Sequence, residues 1–222
     1  MHRRWLTRAL IALAVPALTV PAAATSATAA ATAQVPTIDA VAAIYPHLAG
    51  GTANEFADKV LGPGKKCKAG KPIKGASSRS ASYSPDYTTA DPSTLMPSAA
   101  TPMISVTAMR FPSAKVAIAY LRGFQTSAKD CPVPGGGTGG GTGGGGTADC
   151  TTSTKKIRFT LGDERWSYQM RSVCPASSTA MNMLFARKGK FVVYANVMSM
   201  DATAPAVPPS IALTKLALAT VG

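Results

Sequence analysis

The second half of the chain alternates apolar with polar side chains, and this alternation constrains the fold more than any other feature. It runs through residues 157–161 and 166–170, on either side of Gly162-Asp163-Glu164. A second hairpin is predicted from Ala180 to Arg187 and from Lys190 to Met198, with its turn at Lys188-Gly189. A period of two with a turn in the middle is typical of a β-hairpin with one buried face. The sequence therefore predicts four antiparallel strands in this half.

The first half mixes helical and strand patterns. Residues 35–61 are predicted to be mainly helical, because Thr52-Ala-Asn-Glu55 fits a capping box. Alternation at residues 102–111 predicts a strand. Residues 79–87 are predicted to form an edge strand, and the Pro- and Ser-rich residues 88–101 a loop.

Two further helices begin at recognisable signals. Ser113 can cap a helix, and apolar residues follow it at helical spacing: Ala117, Tyr120, Leu121, Phe124 and Ala128. Pro208-Pro209-Ser210 opens a last, apolar helix at residues 211–220. The elements in this order predict an α+β domain, with one antiparallel sheet and helices packed on one face.

Residues 1–33 are predicted to be a secretory signal peptide. Three arginines precede an apolar run at residues 9–20, and small residues follow up to Ala33. This is the order of a signal peptide, and the apolar run is shorter than the ~20 residues of a membrane span. We expect Sec export, with the twin-arginine route as the alternative, and cleavage after Ala33 or alternatively after Ala29. The mature protein, residues 34–222, is then a single secreted domain without a membrane or lipid anchor.

Charge narrows the range of partners. The mature part has 20 Lys and Arg against ten Asp and Glu, a formal net charge of +10, and such a surface attracts anions. Nucleic-acid readers usually interleave aromatic side chains with the charge, and the basic loop at residues 65–79 has none. We expect a small ligand or an anionic cell-envelope polymer and no nucleic acid, with a merely solvated basic surface as the alternative. A basic strand face at residues 156–171 adds to the loop, and the candidate anion-binding residues are Lys65, Lys66, Lys68, Lys71, Lys74, Arg79, Arg158 and Arg171.

Four cysteines, an even number, predict two disulfides in an exported chain. No C-x-x-C spacing occurs, which argues against zinc, and no cofactor is expected. We predict one disulfide between Cys131 and Cys150 and another between Cys67 and Cys174. The first would close a flexible loop at residues 135–146, which holds ten glycines and two threonines and lacks the lysine of a P-loop. The second would tie the N-terminal part to the sheet.

No catalytic site is predicted. The mature part has one histidine, His47, and no G-x-S-x-G turn to hold a nucleophilic serine. Asp163 and Glu164 are neighbours on a turn, whereas paired glycosidase carboxylates face each other. We expect this acidic pair to serve the turn and to pair with Arg165. The nine methionines are predicted to fill the core, with copper binding as an alternative.

Several short motifs are similar to those of one family. Residues 110–121, Arg-Phe-Pro-Ser-Ala-Lys-Val-Ala-Ile-Ala-Tyr-Leu, followed by Cys131, resemble the PknH-type extracellular sensor domain of actinobacterial receptor kinases and exported proteins. Gly162-Asp163-Glu164 and Arg187-Lys188-Gly189 continue the resemblance, which covers about residues 102–222. It implies an α+β domain with two disulfides, a cleft for an extracytoplasmic ligand and no enzymatic activity. This chain departs from the family in having no kinase, no membrane span or lipid anchor, and a glycine tract after the helix.

These features together predict a secreted, non-enzymatic, sensor-like or binding domain for an extracytoplasmic ligand, with anionic cell-envelope material as a candidate. Two alternatives stay open. One is a small secreted hydrolase that uses His47 or an acidic pair, and the other is a cell-wall protein retained by charge alone. The identity of the ligand, a signalling partner and the oligomeric state are not predicted.

Overall fold

The computed structural model describes residues 32–64, 70–89, 96–130 and 150–221, with the backbone alone for residues 127–130. These residues form one antiparallel sheet and three α-helices. The helices are α1 (Ile38–Ala42), α2 (Ala114–Asp130) and α3 (Val207–Thr220), with a 3-10 turn at Pro46–Leu48. The strands are β1 (Thr52–Asp58), β2 (Ser77–Ser84), β3 (Met103–Arg110), β4 (Thr151–Lys155), β5 (Glu164–Val173), β6 (Ser178–Lys188) and β7 (Phe191–Ser199).

Two antiparallel meanders make up the sheet. The strand order is β1-β2-β3-β7-β6-β5-β4. Strands that are consecutive in sequence are therefore neighbours, except for β3 and β4, because β3 pairs with β7 instead. There Met103 lies opposite Met198, and Arg110 lies opposite Phe191. The single antiparallel sheet of an α+β domain is therefore confirmed.

Helices cover both faces of this sheet, so the prediction of helices on one face is wrong. On the first face, called the α3 face, Val193 and Ala195 of β7 belong to the same buried cluster as Leu213 of α3 and Val41 of α1. On the opposite face, called the α2 face, Val192 clusters with residues of α2. The reason is that the central strands are apolar on both sides, which needs a helical cover on each.

The elements with strong local signals form as predicted. Ser113 Oγ accepts a hydrogen bond from the amide of Val116 (3.3 Å) and caps α2, and Ala117, Tyr120 and Leu121 are buried on one side of that helix. The strand at residues 102–111, the second hairpin and the last helix are also confirmed. The side chain of Ala128 lies outside the described residues.

The prediction of a long helix over residues 35–61 is wrong. Only residues 38–42 are α-helical, and the capping-box segment is strand β1, which pairs with β2. Across that pair Glu55 bonds Arg79 (Oε2 to Nε, 2.7 Å). Since β1 occupies the edge, β2 is an interior strand and not the predicted edge. The T-x-x-E pattern involves residues that are close in the chain, whereas the strand is selected by partners in β2 that lie 20 to 32 positions away.

The first hairpin forms in a different place from the one predicted. The strand before the turn is β4, which pairs only with residues 169–173 of β5. Residues 156–161 run beside β5 without joining the sheet. The predicted alternation of buried and exposed side chains is still observed here, because Ile157 is buried while Lys156 and Arg158 are exposed. Ser167 Oγ donates a hydrogen bond to the Ile157 carbonyl (2.5 Å), which holds this segment against β5.

Both predicted disulfide pairings are wrong. Cys150 is bonded to Cys174, and each predicted pair contained one of these two residues. Thr151 lies opposite Val173 in the β4–β5 pair, so the next residue on each strand brings the two sulfurs together. The other two cysteines, Cys67 and Cys131, lie outside the described residues, as do most of the predicted signal peptide and the loop at residues 135–146. In the described part of the chain, no helix is long and apolar enough to cross a membrane.

Candidate functional site

A cleft of about 770 Å³ lies beside the part of β5 that β4 leaves uncovered. One wall comes from α2, another from the segment at residues 156–160, and the floor from the start of β5. The lining residues are Arg122, Gln125, Lys156, Ile157, Arg158, Phe159, Thr160, Glu164, Arg165, Trp166 and Ser167.

The side chains of this cleft carry an excess of positive charge. One of its cations, Arg122, is neutralised by Glu164, with 2.7 Å between Nη2 and Oε1. The other three are Lys156, Arg158 and Arg165, and all are exposed. Among the described residues, no carboxylate lies within 4.0 Å of any of these three. The cleft is therefore able to receive an anion without displacing an existing ion pair.

Aromatic side chains make one side of the cleft apolar and rigid. The Trp166 ring packs against Phe124 of α2 (5.7 Å between centroids) and against Phe185 of β6 (5.1 Å). Phe159 also lines the cleft and is half-buried, with its side chain packed against the core cluster of the α3 face. Paired aromatic rings of this kind hold each other in fixed orientations. The cleft thus combines exposed cations with an apolar surface.

Behind the cleft, the two segments that carry the family-like motifs are bonded to each other through Arg187. Its side chain is only 8% exposed, and its Nε lies 3.1 Å from Glu164 Oε2 and its Nη1 3.0 Å from Asp163 Oδ2. Arg187 also donates to the carbonyl of Gly189 (2.7 Å), and Asp163 accepts from the Gly189 amide (2.8 Å). We call these contacts the Arg187 network. The expected pairing of the acidic residues with Arg165 is therefore wrong.

The turn that begins this network needs a glycine. Gly162 has a φ of 65°, and a Cβ at that position would lie 2.3 Å from the carbonyl oxygen of Arg187. Only glycine fits both the left-handed backbone and the close approach. The G-D-E and R-K-G motifs are thus explained by the structure of the domain, since their side chains contact each other.

Glu164 connects the network to the cleft. Burial raises the pKa of its carboxyl, but hydrogen bonds from Arg122 and Arg187, together with their charges, outweigh burial and hold that pKa below its usual range. Each of its two oxygens accepts from a different guanidinium group. Glu164 therefore stays ionised and positions Arg122 at the wall of the cleft.

The structure separates the predicted anion-binding residues. Only Arg158 reaches the cleft, while Arg79 is paired with Glu55 and Arg171 lies farther along β5, opposite Ala180. Lys71 and Lys74 are exposed outside the lining of the cleft, and the remaining candidates, Lys65, Lys66 and Lys68, lie outside the described residues. The alternation that marked Arg158 also marked Lys156 and Arg165. Arg122 carried no sequence signal, since a single arginine on a helix is ordinary.

His47 lies in a second, smaller cavity of about 180 Å³ at the start of β3. Its Nε2 donates a hydrogen bond to the Pro102 carbonyl (3.1 Å). Burial lowers the pKa of His47, and this hydrogen bond only partly opposes the effect. Serines line the cavity, but within the described part of its lining there is no carboxylate to complete a triad. Asn196, on the same wall, has a buried Oδ1 with no hydrogen-bond partner among the described residues.

Comparisons with known proteins give a weak resemblance in fold. No protein-family model matches the chain, and no curated protein matches it in sequence. Among solved structures, the crystal structure of the extracellular domain of PknH from Mycobacterium tuberculosis aligns with a TM-score of 0.43 and 9% sequence identity. The alignment covers 85% of this chain and 98% of that domain.

Proposed function

We propose that this protein is a non-enzymatic binding domain that works outside the cytoplasm and receives an anionic group of its ligand in the cleft beside β5. The observation that carries the proposal is the set of three exposed cations, Lys156, Arg158 and Arg165, which converge on one cleft and have no acidic partner among the described residues. Two of them are arginines, whose planar forks match carboxylate, phosphate and sulfate groups.

The shape of the cleft favours a ligand that is anionic at one end and apolar at the other. Its volume falls in the range of ~300–1,000 Å³ that is usual for small-ligand sites. The rings of Trp166 and Phe159 offer an apolar surface next to the cations. A segment of an anionic envelope polymer and a small molecule with the same charged group would both satisfy this chemistry.

The test uses a polymer of known charge. Dextran sulfate is titrated into the secreted protein, and binding is followed by calorimetry and by the fluorescence of Trp166. Neutral dextran of the same length is the control ligand, and inorganic sulfate tests whether the charged group alone is bound. We expect dextran sulfate to bind, neutral dextran not to bind, and added salt to weaken binding because these charges are exposed.

Two charge-matched variants decide whether the cleft is the site. Arg158→Gln with Arg165→Gln removes two cations from the cleft, and Lys71→Gln with Lys74→Gln removes two exposed cations elsewhere. The cleft variant should weaken binding about tenfold, which corresponds to about 1.4 kcal/mol, and the control variant should have little effect. Equal losses in the two variants would contradict the proposal and favour the alternative of a protein retained by charge alone.

A further inference from the structure

Four of the nine methionines form a row across the α2 face of the sheet. Met103 of β3 lies opposite Met198 of β7. Met198 lies opposite Met181 of β6, and Met181 lies opposite Met170 of β5. Residues that lie directly opposite on neighbouring strands project from the same face, with Cβ atoms about 4.5–5.5 Å apart. The register therefore places four thioether side chains side by side.

This row is not filler for the core beneath α2. The α2 cluster occupies the other end of the sheet, around Val192 and Phe185. Met170 is buried, but Met181 and Met198 are only half-buried and Met103 is 47% exposed. Three of the four thioether side chains are therefore within reach of solvent. The cavity of about 180 Å³ opens beside Met103 and Met198, which gives this end of the row access from solution.

The neighbouring methionine on the same face shows a different arrangement. Met183 lies two residues beyond Met181 on the same face of β6, and its sulfur accepts a hydrogen bond from the Tyr168 hydroxyl. Among the described residues, no hydrogen bond engages the sulfurs of Met103, Met181 and Met198, and two of these residues, Met103 and Met198, line the cavity.

We propose that Met103, Met198 and Met181 bind a soft monovalent cation of the Cu(I) class through their thioether sulfurs. Thioethers are soft donors that select Cu(I) over harder metal ions, and the unbranched methionine side chain adjusts readily to a shared ligand. Three sulfurs on neighbouring strands can converge on one ion, because the spacing of the strands is close to the separation of two ligands on a metal. Among the described residues, no group of three or more His, Cys, Asp or Glu could hold a harder metal.

Silver(I) is the probe, because it shares the coordination chemistry of Cu(I) and needs no reductant. The secreted protein carries ¹³C-labelled methionine methyl groups and is treated first with iodoacetamide to cap any free thiol. Silver nitrate is then added while methyl spectra are recorded. We expect the signals of Met103, Met181 and Met198 to shift together and to saturate at one equivalent. The signal of Met109, which is buried beneath α2, should stay in place.

Leucine variants test the sulfur itself, since exchanging Met for Leu conserves volume and leaves the fold intact. Met198→Leu removes the central thioether and should weaken silver binding at least tenfold, whereas the matched control Met109→Leu should bind like the unaltered protein. Far-UV circular dichroism verifies that both variants are folded. Absence of methyl shifts, equal shifts at the exposed Met96 and Met200, or unchanged binding by Met198→Leu would overturn the proposal.

Discussion

Replacing Arg187 by methionine should destabilise the domain more than any exposed arginine substitution. Arg187→Met keeps most of the length of the side chain but removes its bonds to Asp163, Glu164 and the Gly189 carbonyl. Removing one partner of a buried ion pair typically costs about 3–5 kcal/mol, because the charge that remains is poorly solvated.

The expected loss lies at the lower end of that range. Asp163 is half exposed and still accepts the hydrogen bond from the Gly189 amide, and Glu164 still forms its ion pair with Arg122. Both carboxylates therefore retain some compensation when the guanidinium is lost. We expect a decrease of about 3 kcal/mol in the free energy of unfolding. Adding Glu164→Gln to Arg187→Met should recover part of the loss, because it removes a carboxylate that has lost one of its two guanidinium partners.

Urea unfolding followed by the fluorescence of Trp166 measures this loss. Trp166 reports on the relevant region, since its ring packs against Phe185 on the strand that carries Arg187. The control is Arg165→Met, an exposed arginine on the opposite strand, which should change stability by no more than about 0.5 kcal/mol. A loss below about 1 kcal/mol for Arg187→Met, or one equal to that of the control, would refute the role assigned to the Arg187 network.

Three further outcomes follow from the structure. Folding lowers the pKa of Glu164, so the stabilisation by its carboxylate is complete above the unfolded pKa of about 4.3 and is lost as pH falls through the folded pKa. In urea unfolding between pH 6 and 3, the free energy of unfolding should therefore decline less steeply for Glu164→Gln than for the unaltered protein. His47 should titrate below its ordinary pKa of about 6.5 when followed by NMR, and its contribution to stability should fall as acid is added from that pH downward. Peptide mapping without reductant should yield Cys150 linked to Cys174, and replacing both by serine should cost about 3 kcal/mol in a urea unfolding experiment.

The parts of the fold that the sequence predicts are those whose partners are close in the chain. The second hairpin follows from two apolar stretches on either side of Lys188-Gly189, and α2 follows from Ser113 and a stripe at helical spacing. Strand β1 could not be predicted in this way, because its side chains are mostly exposed and its pairing with β2 spans a long loop.

The candidate site was predicted only in part, for a similar reason. Alternation marked Arg158 as exposed, but the cleft exists because β4 ends at Lys155 and leaves the start of β5 uncovered. Arg187 carries a further sequence signal. It follows Met183 and Phe185 at every second position of β6, on the face that these apolar residues occupy. A buried arginine at such a position predicts an acidic partner.

The pairing of β3 with β7 has a consequence for how fast the domain folds. Strands within each meander are joined by connections that bring neighbours together early, whereas β3 and β7 join residues more than 80 positions apart in the chain. Closing a chain segment of that length carries a large entropic cost before any contact forms, and folding slows as contacts become more distant in sequence. The rate-limiting step is therefore expected to be the docking of the two meanders. Val106→Ala, at the centre of β3, should slow refolding in a stopped-flow experiment, whereas Thr154→Ala, at the β4 edge, should mainly speed unfolding.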